Sequence, residues 1–124
     1  MRVILAHLIE IPSKNDQRGS IKILDKLLPF EIKRIFFITQ PKDIRGGHRH
    51  KKSIQALICL RGSCLVEVDD GLQQKNFFLD SDKQCLILEP EDWHTMSDFK
   101  DDPILLVASS QHYDKNDYIH EPYE

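Results

Sequence analysis

The chain reads as an all-β domain, a sandwich or barrel of short strands, and three observations say so. Apolar runs rich in Ile, Val, Leu and Phe recur at about ten-residue spacing. Most of them are too short for helices, and turn signals separate them: "DQRGS", "PKDIRGG", "RGS", "DDG", "DSDK", "EPED" and "KDDP". One pair, "VEVDDGLQQKNFFL", is a plain hairpin with Asp70-Gly71 supplying the turn. Taken in order, the expected strands are "VILAHLIEI", "SIKIL", "IKRIFFIT", a segment opening at His48, "IQALICLR", "SCLVEVDD", "KNFFLD", "QCLILEP" and "DPILLVASS". "DKLLPFE" has room for one helical turn before Pro29 stops it. The polar tail "QHYDKNDYIHEPYE" is expected to lie extended over the body, because Tyr113, Tyr118 and Ile119 give it something to bury; His120 is expected to be solvated.

The 124 residues suit one domain, 1–124. The chain is 40% hydrophobic and 30% charged, with a net charge of -3. Its pI near 6.1 argues against nucleic acid held by a general basic surface. No apolar stretch approaches the roughly 20 residues that span a bilayer. Glu10 interrupts the opening apolar run and no small-residue cleavage site follows, which speaks against a signal peptide. Cys59, Cys64 and Cys85 lie in strand-like runs without a CxxC pair, as buried free thiols in a reducing cytoplasm would. "DDG" and "DSDK" lack the Ca²⁺-loop pattern. Ser109, Ser110 and His112 lack a nucleophile elbow.

The chemistry concentrates in "RGGHRHKK". On a strand, His48 and His50 at i and i+2 share one face, and Arg49 between them points to the other. Imidazole titrates near neutrality, so the pair can take a proton from carbon beside a carbonyl and return one elsewhere. Gly46 and Gly47 let the backbone approach a ligand. Gln55 and Gly62 follow, then Pro90, Trp93 and His94 in "LEPEDWHTM". This order resembles the two motifs of the cupin superfamily, a jelly-roll barrel (double-stranded β-helix). Many metal-binding cupins place a glutamate shortly after the HxH pair. Here Lys51, Lys52, Ser53, Ile54 and Gln55 supply no carboxylate, and two lysines oppose a cation, so no metal is expected.

In order and spacing, "DQRGSI", "IKRIFFI", "RGGHRHKK", "LRGSCLVEVDDG", "WHTMSDF" and "VASSQHYDKNDYI" resemble the sugar-nucleotide 3,4-ketoisomerases of the WxcM-like cupin family, from about Leu8 to Tyr118. The resemblance implies a jelly roll, a tight homodimer, no cofactor, and dTDP-4-keto-6-deoxyglucose as substrate. It implies a dTDP-3-keto-6-deoxyhexose as product, which an aminotransferase converts to a 3-amino-3,6-dideoxy sugar for surface polysaccharide. His48 and His50 match the family's acid–base pair, and Arg45 its arginine at the mouth of the site. Arg18 and His94 match positions that differ between the gluco and galacto branches, and their combination resembles the galacto branch. Gln55 and Phe36 complete the expected substrate-binding set. His50, deeper along the strand, is expected to work on carbon and His48 on oxygen.

Four positions depart from the family pattern: Phe36 and Phe37 stand where tyrosines are common, Arg49 where alanine is usual, and Ile54 where a glutamate is common. One of the replaced tyrosines lies near the sugar in the family, so a hydroxyl is missing there. Two other readings of the same residues stay open. One is a metal-dependent cupin enzyme with His48, His50, Gln55 and His94 as ligands. The other is a cupin pocket that binds a sugar nucleotide without chemistry.

Overall fold

The structure is a computed structural model and describes residues 6–124. The start of the opening apolar run, residues 1–5, on which the signal-peptide reading partly rests, lies outside the described residues. The elements in order are β1 (His7–Glu10), β2 (Ser13–Asp16), β3 (Gly19–Lys22), β4 (Arg34–Thr39), β5 (Arg45–His50), β6 (Gln55–Asp69), β7 (Gln74–Leu79), β8 (Gln84–Leu88), β9 (Trp93–Ser109), a 3₁₀ turn (Lys115–Asp117) and β10 (Tyr118–Ile119). All pairings are antiparallel.

Two long strands make the barrel. The first half of β6 pairs with β8 and its second half with β7. The first half of β9 pairs with β5 and its second half with β4. Because β6 and β9 pair with each other throughout, two sheets result: β1-β8-β6-β9-β4 and β7-β6-β9-β5-β10. Both strands change sheets at one corner, where the register slips between Cys59 and Leu65. The sequence suggests turns at "RGS" and "KDDP"; the structure makes them bends inside continuous strands. Gly62 (φ 73°) bends β6, and Asp98, Asp101 and Asp102 bend β9 at positive φ, which aspartate tolerates better than most residues.

Strand periodicity decides what is buried. On β6 and β8, Leu57, Cys59, Leu86 and Leu88 face the interior with Val66, Val68, Leu79, Leu105 and Val107. Their alternate neighbours Ala56, Ile58, Cys85 and Ile87 face outward yet are also buried. That explains runs without polar alternation. The outer face is covered by Leu24, Leu27, Leu28 and Phe30. The expected helical turn there is only a single turn, closed by Leu27 N–H donating to the Leu24 carbonyl at 3.1 Å. Burying each such Leu or Ile stabilises by roughly 1.5–3 kcal/mol. Cys59, Cys64 and Cys85 are free and buried in these layers.

The Asp70-Gly71 hairpin joins β6 to β7 as expected, with Asp70 Oδ1 accepting from the Leu72 and Gln73 amides at 2.8 Å each. In the tail, Tyr118 and Ile119 pair with His50 and Arg49 of β5. Tyr123 stacks under the Arg49 guanidinium at 4.0 Å and donates its hydroxyl to the Glu91 carbonyl at 2.7 Å. The tail therefore straps the mouth of the barrel. Tyr113, expected to help bury it, is 65% exposed.

Candidate active site

A cavity of about 300 Å³ opens between the two sheets. One wall comes from the β4 sheet (Arg34, Phe36, Ile38, Gln55, Leu57, Val107) and the other from the β5 sheet (Arg45, Gly46, His48, His94, Met96, Tyr118). The polar groups converge at one end, as in sites that orient a small ligand.

Gly46 fits β5 closely against β9. At φ 82° it sits where a Cβ would stand 2.8 Å from the His94 carbonyl oxygen. A bulge between Gly46 and His48 re-aims the strand, and His48 ends opposite His94. The ring centroids of His48 lie 4.9 Å from His50, 4.8 Å from His94 and 4.8 Å from Tyr118. His94 is 2% exposed and its Nδ1–H donates to the Asp92 carbonyl at 3.3 Å.

Burial, reinforced by the neighbouring imidazoles, sets the charge state of this cluster. It pushes His48 down to about 4 and His94 down to about 3. Burial also holds His50 below the usual histidine range, although Asp117 pulls the other way by hydrogen bond and charge. All three rings are thus neutral at neutral pH, with lone pairs free to take a proton. Arg34 and Arg45 bring the positive charge instead. The Arg34 guanidinium lies 4.4 Å over the Phe36 ring and donates to the Tyr118 hydroxyl at 3.1 Å.

Of the residues singled out from the sequence, Arg45, His48, Gln55, His94 and Phe36 line this one cavity. His50 is adjacent but recessed: it is 4% exposed and stands behind His48. Of the two, His48 is the ring in the cavity wall and His50 stands one layer behind it. Arg18 is not brought to the site. Its guanidinium is exposed and pairs with Asp16 at 2.7 Å, on a β2–β3 hairpin that, among the described residues, pairs only within itself. Arg49 points away from the histidine face, as expected, and pairs with Glu91 at 3.3 Å. Lys51 and Lys52 are exposed. His120 is exposed, yet it stacks on Tyr118 at 6.0 Å.

Sequence reasoning missed three residues. Arg34 lies two residues before Phe36 on the same strand face, a signal that was available. Tyr118 brings a phenol to the cavity, and Asp117 a carboxylate to His50, from the tail. Among the described residues, no group of three His, Cys, Asp or Glu side chains has the arrangement of a metal site. Nor is any helix among them long and apolar enough to cross a membrane.

The family model described as FdtA: WxcM-like, C-terminal, matches residues 5–124. A TDP-4-oxo-6-deoxy-alpha-D-glucose-3,4-oxoisomerase from Aneurinibacillus thermoaerophilus is 44% identical over 108 residues, covering 84% of this chain and 78% of that protein. A 3,4-ketoisomerase from Helicobacter canadensis superposes with a TM-score of 0.91 at 36% identity, over 96% of this chain and 92% of the other. A variant 3,4-ketoisomerase from Thermoanaerobacterium thermosaccharolyticum, solved with TDP-4-keto-6-deoxyglucose, superposes with a TM-score of 0.91 at 33% identity, over 97% and 90% of the two chains. With the double-sheet barrel and histidine cavity already in place, the chain belongs to the FdtA, WxcM-like C-terminal family of cupin-fold enzymes, the sugar 3,4-ketoisomerases.

Proposed function

We propose that this chain converts dTDP-4-keto-6-deoxyglucose into the dTDP-3-keto-6-deoxyhexose of galacto configuration by histidine acid–base transfer. The observation that carries the reading is His48 in the wall of the cavity between the two sheets, its ring beside those of His50 and His94, with Arg34 and Arg45 as the cavity's cationic groups. A 4-keto group acidifies the C3 hydrogen. His48 removes that proton, and the C–H electron pair becomes the C3=C4 bond of an enediolate. Arg45, Arg34 and the Tyr118 hydroxyl supply positive charge and a donor to the developing oxygen anion. The O3 proton then leaves as C3=O forms, O4 gains one, and the His48 imidazolium, its N–H exchanged with solvent, delivers a proton to C4. His50, one layer behind His48, buffers the hydroxyl proton. Substrate anions entering the cavity raise His48 toward the operating range in which general bases are most effective.

The substrate-bound relative supports the choice of substrate. The galacto assignment rests on Arg18 and His94. A 3-keto product is what an aminotransferase would take toward a 3-amino-3,6-dideoxy sugar of surface polysaccharide, in the cytoplasm. Incubation with dTDP-4-keto-6-deoxyglucose, trapping by a coupled aminotransferase and NMR of the amino sugar should give an axial C4 hydroxyl. An equatorial one would overturn the galacto assignment. A stoichiometric transition metal in protein purified without added metal would favour the metal-dependent reading instead.

A homodimer is part of this proposal. Ile35 (55% exposed) and Phe37 (62%) leave an apolar face on β4, and among the described residues β4 pairs on one side only, with β9. Ile21 on the Arg18 hairpin is 64% exposed. A second copy would cover these groups and give the Arg18 hairpin a neighbouring cavity to serve. Sedimentation at micromolar concentration should show a dimer; a monomer would contradict this.

Restoring the missing hydroxyl by Phe36→Tyr should leave kcat within a few-fold of wild type. The Tyr118 hydroxyl is already in the cavity, and Arg34 packs on the ring that would carry the new group. Steady-state kinetics would show otherwise by a rise of about tenfold or more in kcat, a group acting in the transition state alone.

A further inference from the structure

The histidine pair has a partner that comes from the other end of the chain. His50 Nδ1 lies 2.9 Å from Asp117 Oδ2, the ring 4% and the carboxylate residue 7% exposed. Asp117 is itself held: Ser53 Oγ donates to Oδ2 at 2.5 Å, the Lys52 amide donates to Oδ1 at 2.7 Å, and the Lys51 amide donates to the Asp117 carbonyl at 2.8 Å. Burial opposes its charge, but these donors outweigh burial and hold the carboxyl below the usual carboxylate range. An ionised carboxylate accepts only, so the His50 proton must sit on Nδ1. Nε2 is then a bare lone pair. It is buried without a hydrogen-bond partner among the described residues, on a ring that Gln55, a cavity-lining side chain, approaches closely enough to favour its charged form.

We propose that Asp117 is a positioning residue of the reaction: its carboxylate fixes the His50 tautomer and leaves Nε2 free to take the hydroxyl proton that His50 buffers for His48. The proposal rests on the acid–base reading above. It also gives the tail strap a function, because the 3₁₀ turn capped by Asp114 sets Asp117 and the β10 pairing seats the turn against β5. When His50 takes a proton, the carboxylate stabilises the imidazolium without moving.

Asp117→Asn separates tautomer from seating. Its Oδ1 still accepts from the Lys52 amide, so the strap keeps that contact, while its amide donates to Nδ1 and drives the proton to Nε2. Three readings are expected. First, kcat falls on the order of 10²-fold with KM changed only a few-fold. Second, ¹⁵N NMR shows His50 protonated at Nδ1 in the wild type and at Nε2 in the variant. Third, the acidic limb of kcat/KM moves to lower pH, because a charge that raises His50 has gone; His48, His94, Tyr118 and Arg34, the other groups around the ring, are untouched. Ser53→Ala, which keeps the carboxylate, should keep the wild-type tautomer and most of the activity. Wild-type kcat in Asp117→Asn would overturn the proposal, as would lost activity with the tautomer unchanged. An Nε2–H ring in the wild type would overturn it without any variant. Full turnover in His48→Asn would instead sink the acid–base reading beneath it, and full turnover in His50→Asn would overturn the proposal itself.

Discussion

His48→Asn is expected to lower kcat by about 10³-fold, within the range general acid–base catalysis supplies, while KM stays within a few-fold of wild type. The imidazole is the ring in the cavity wall, and asparagine keeps its polarity without cycling a proton near neutral pH. Arg34 and Arg45, the groups that meet substrate anions, are left in place. A loss in kcat and kcat/KM together, with binding retained, is what removal of a transition-state interaction looks like. The His48 and His50 double replacement should abolish turnover. Steady-state kinetics with isothermal titration of dTDP checks both; a variant that turns over at the wild-type rate would remove His48 from the chemistry.

Gly62→Ala is expected to destabilise the fold by on the order of 3–5 kcal/mol, a large part of a small domain's stability. The added Cβ would stand 2.4 Å from the Lys100 carbonyl oxygen, 2.9 Å from that of Asp101 and 3.0 Å from the Pro103 Cα. All three are backbone atoms of β9 and cannot swing aside, and φ is 73°. The corner at which both long strands change sheets would have to open. Gly47→Ala provides the control, since φ there is also positive, at 75°, but nothing lies within 4 Å of the added carbon. It carries backbone strain alone, about 1–2 kcal/mol. Denaturant midpoints should separate the two variants clearly; equal losses would mean that the corner is not tightly packed.

The two variants also mark what could be read along the chain. The barrel and most of its cavity were legible because they follow local rules: short apolar runs between turn signals mark most of the strands, and i, i+2 spacing aligns His48 with His50. The motif order then carried His94 and Arg45 to the same cavity. The corner was not legible, because "RGS" and "KDDP" carry the residues of a chain-reversing turn, and only cross-strand packing makes them bends. Leu24, Leu27, Leu28 and Phe30 read as a helical turn, yet they cover a sheet face whose exposure no local pattern announces. Asp117 was silent for a similar reason: it sits 67 residues from the histidine it orients, in a tail that is polar by composition. Arg18 was placed by motif alone; within one chain its exposed guanidinium pairs with Asp16, and only a second copy would give it a cavity to serve.

Turnover of dTDP-4-keto-6-deoxyglucose in D₂O, followed by ¹H NMR of the sugar ring, tests most directly whether imidazole proton transfer through an enediol links C3 and C4. A 3-keto product carrying solvent deuterium at C4 is expected, together with loss of the C3 hydrogen, and neither change with His48→Asn. A 3-keto product that retains the original C3 hydrogen in full at C4, or a bound sugar nucleotide whose ring hydrogens never exchange, would contradict it.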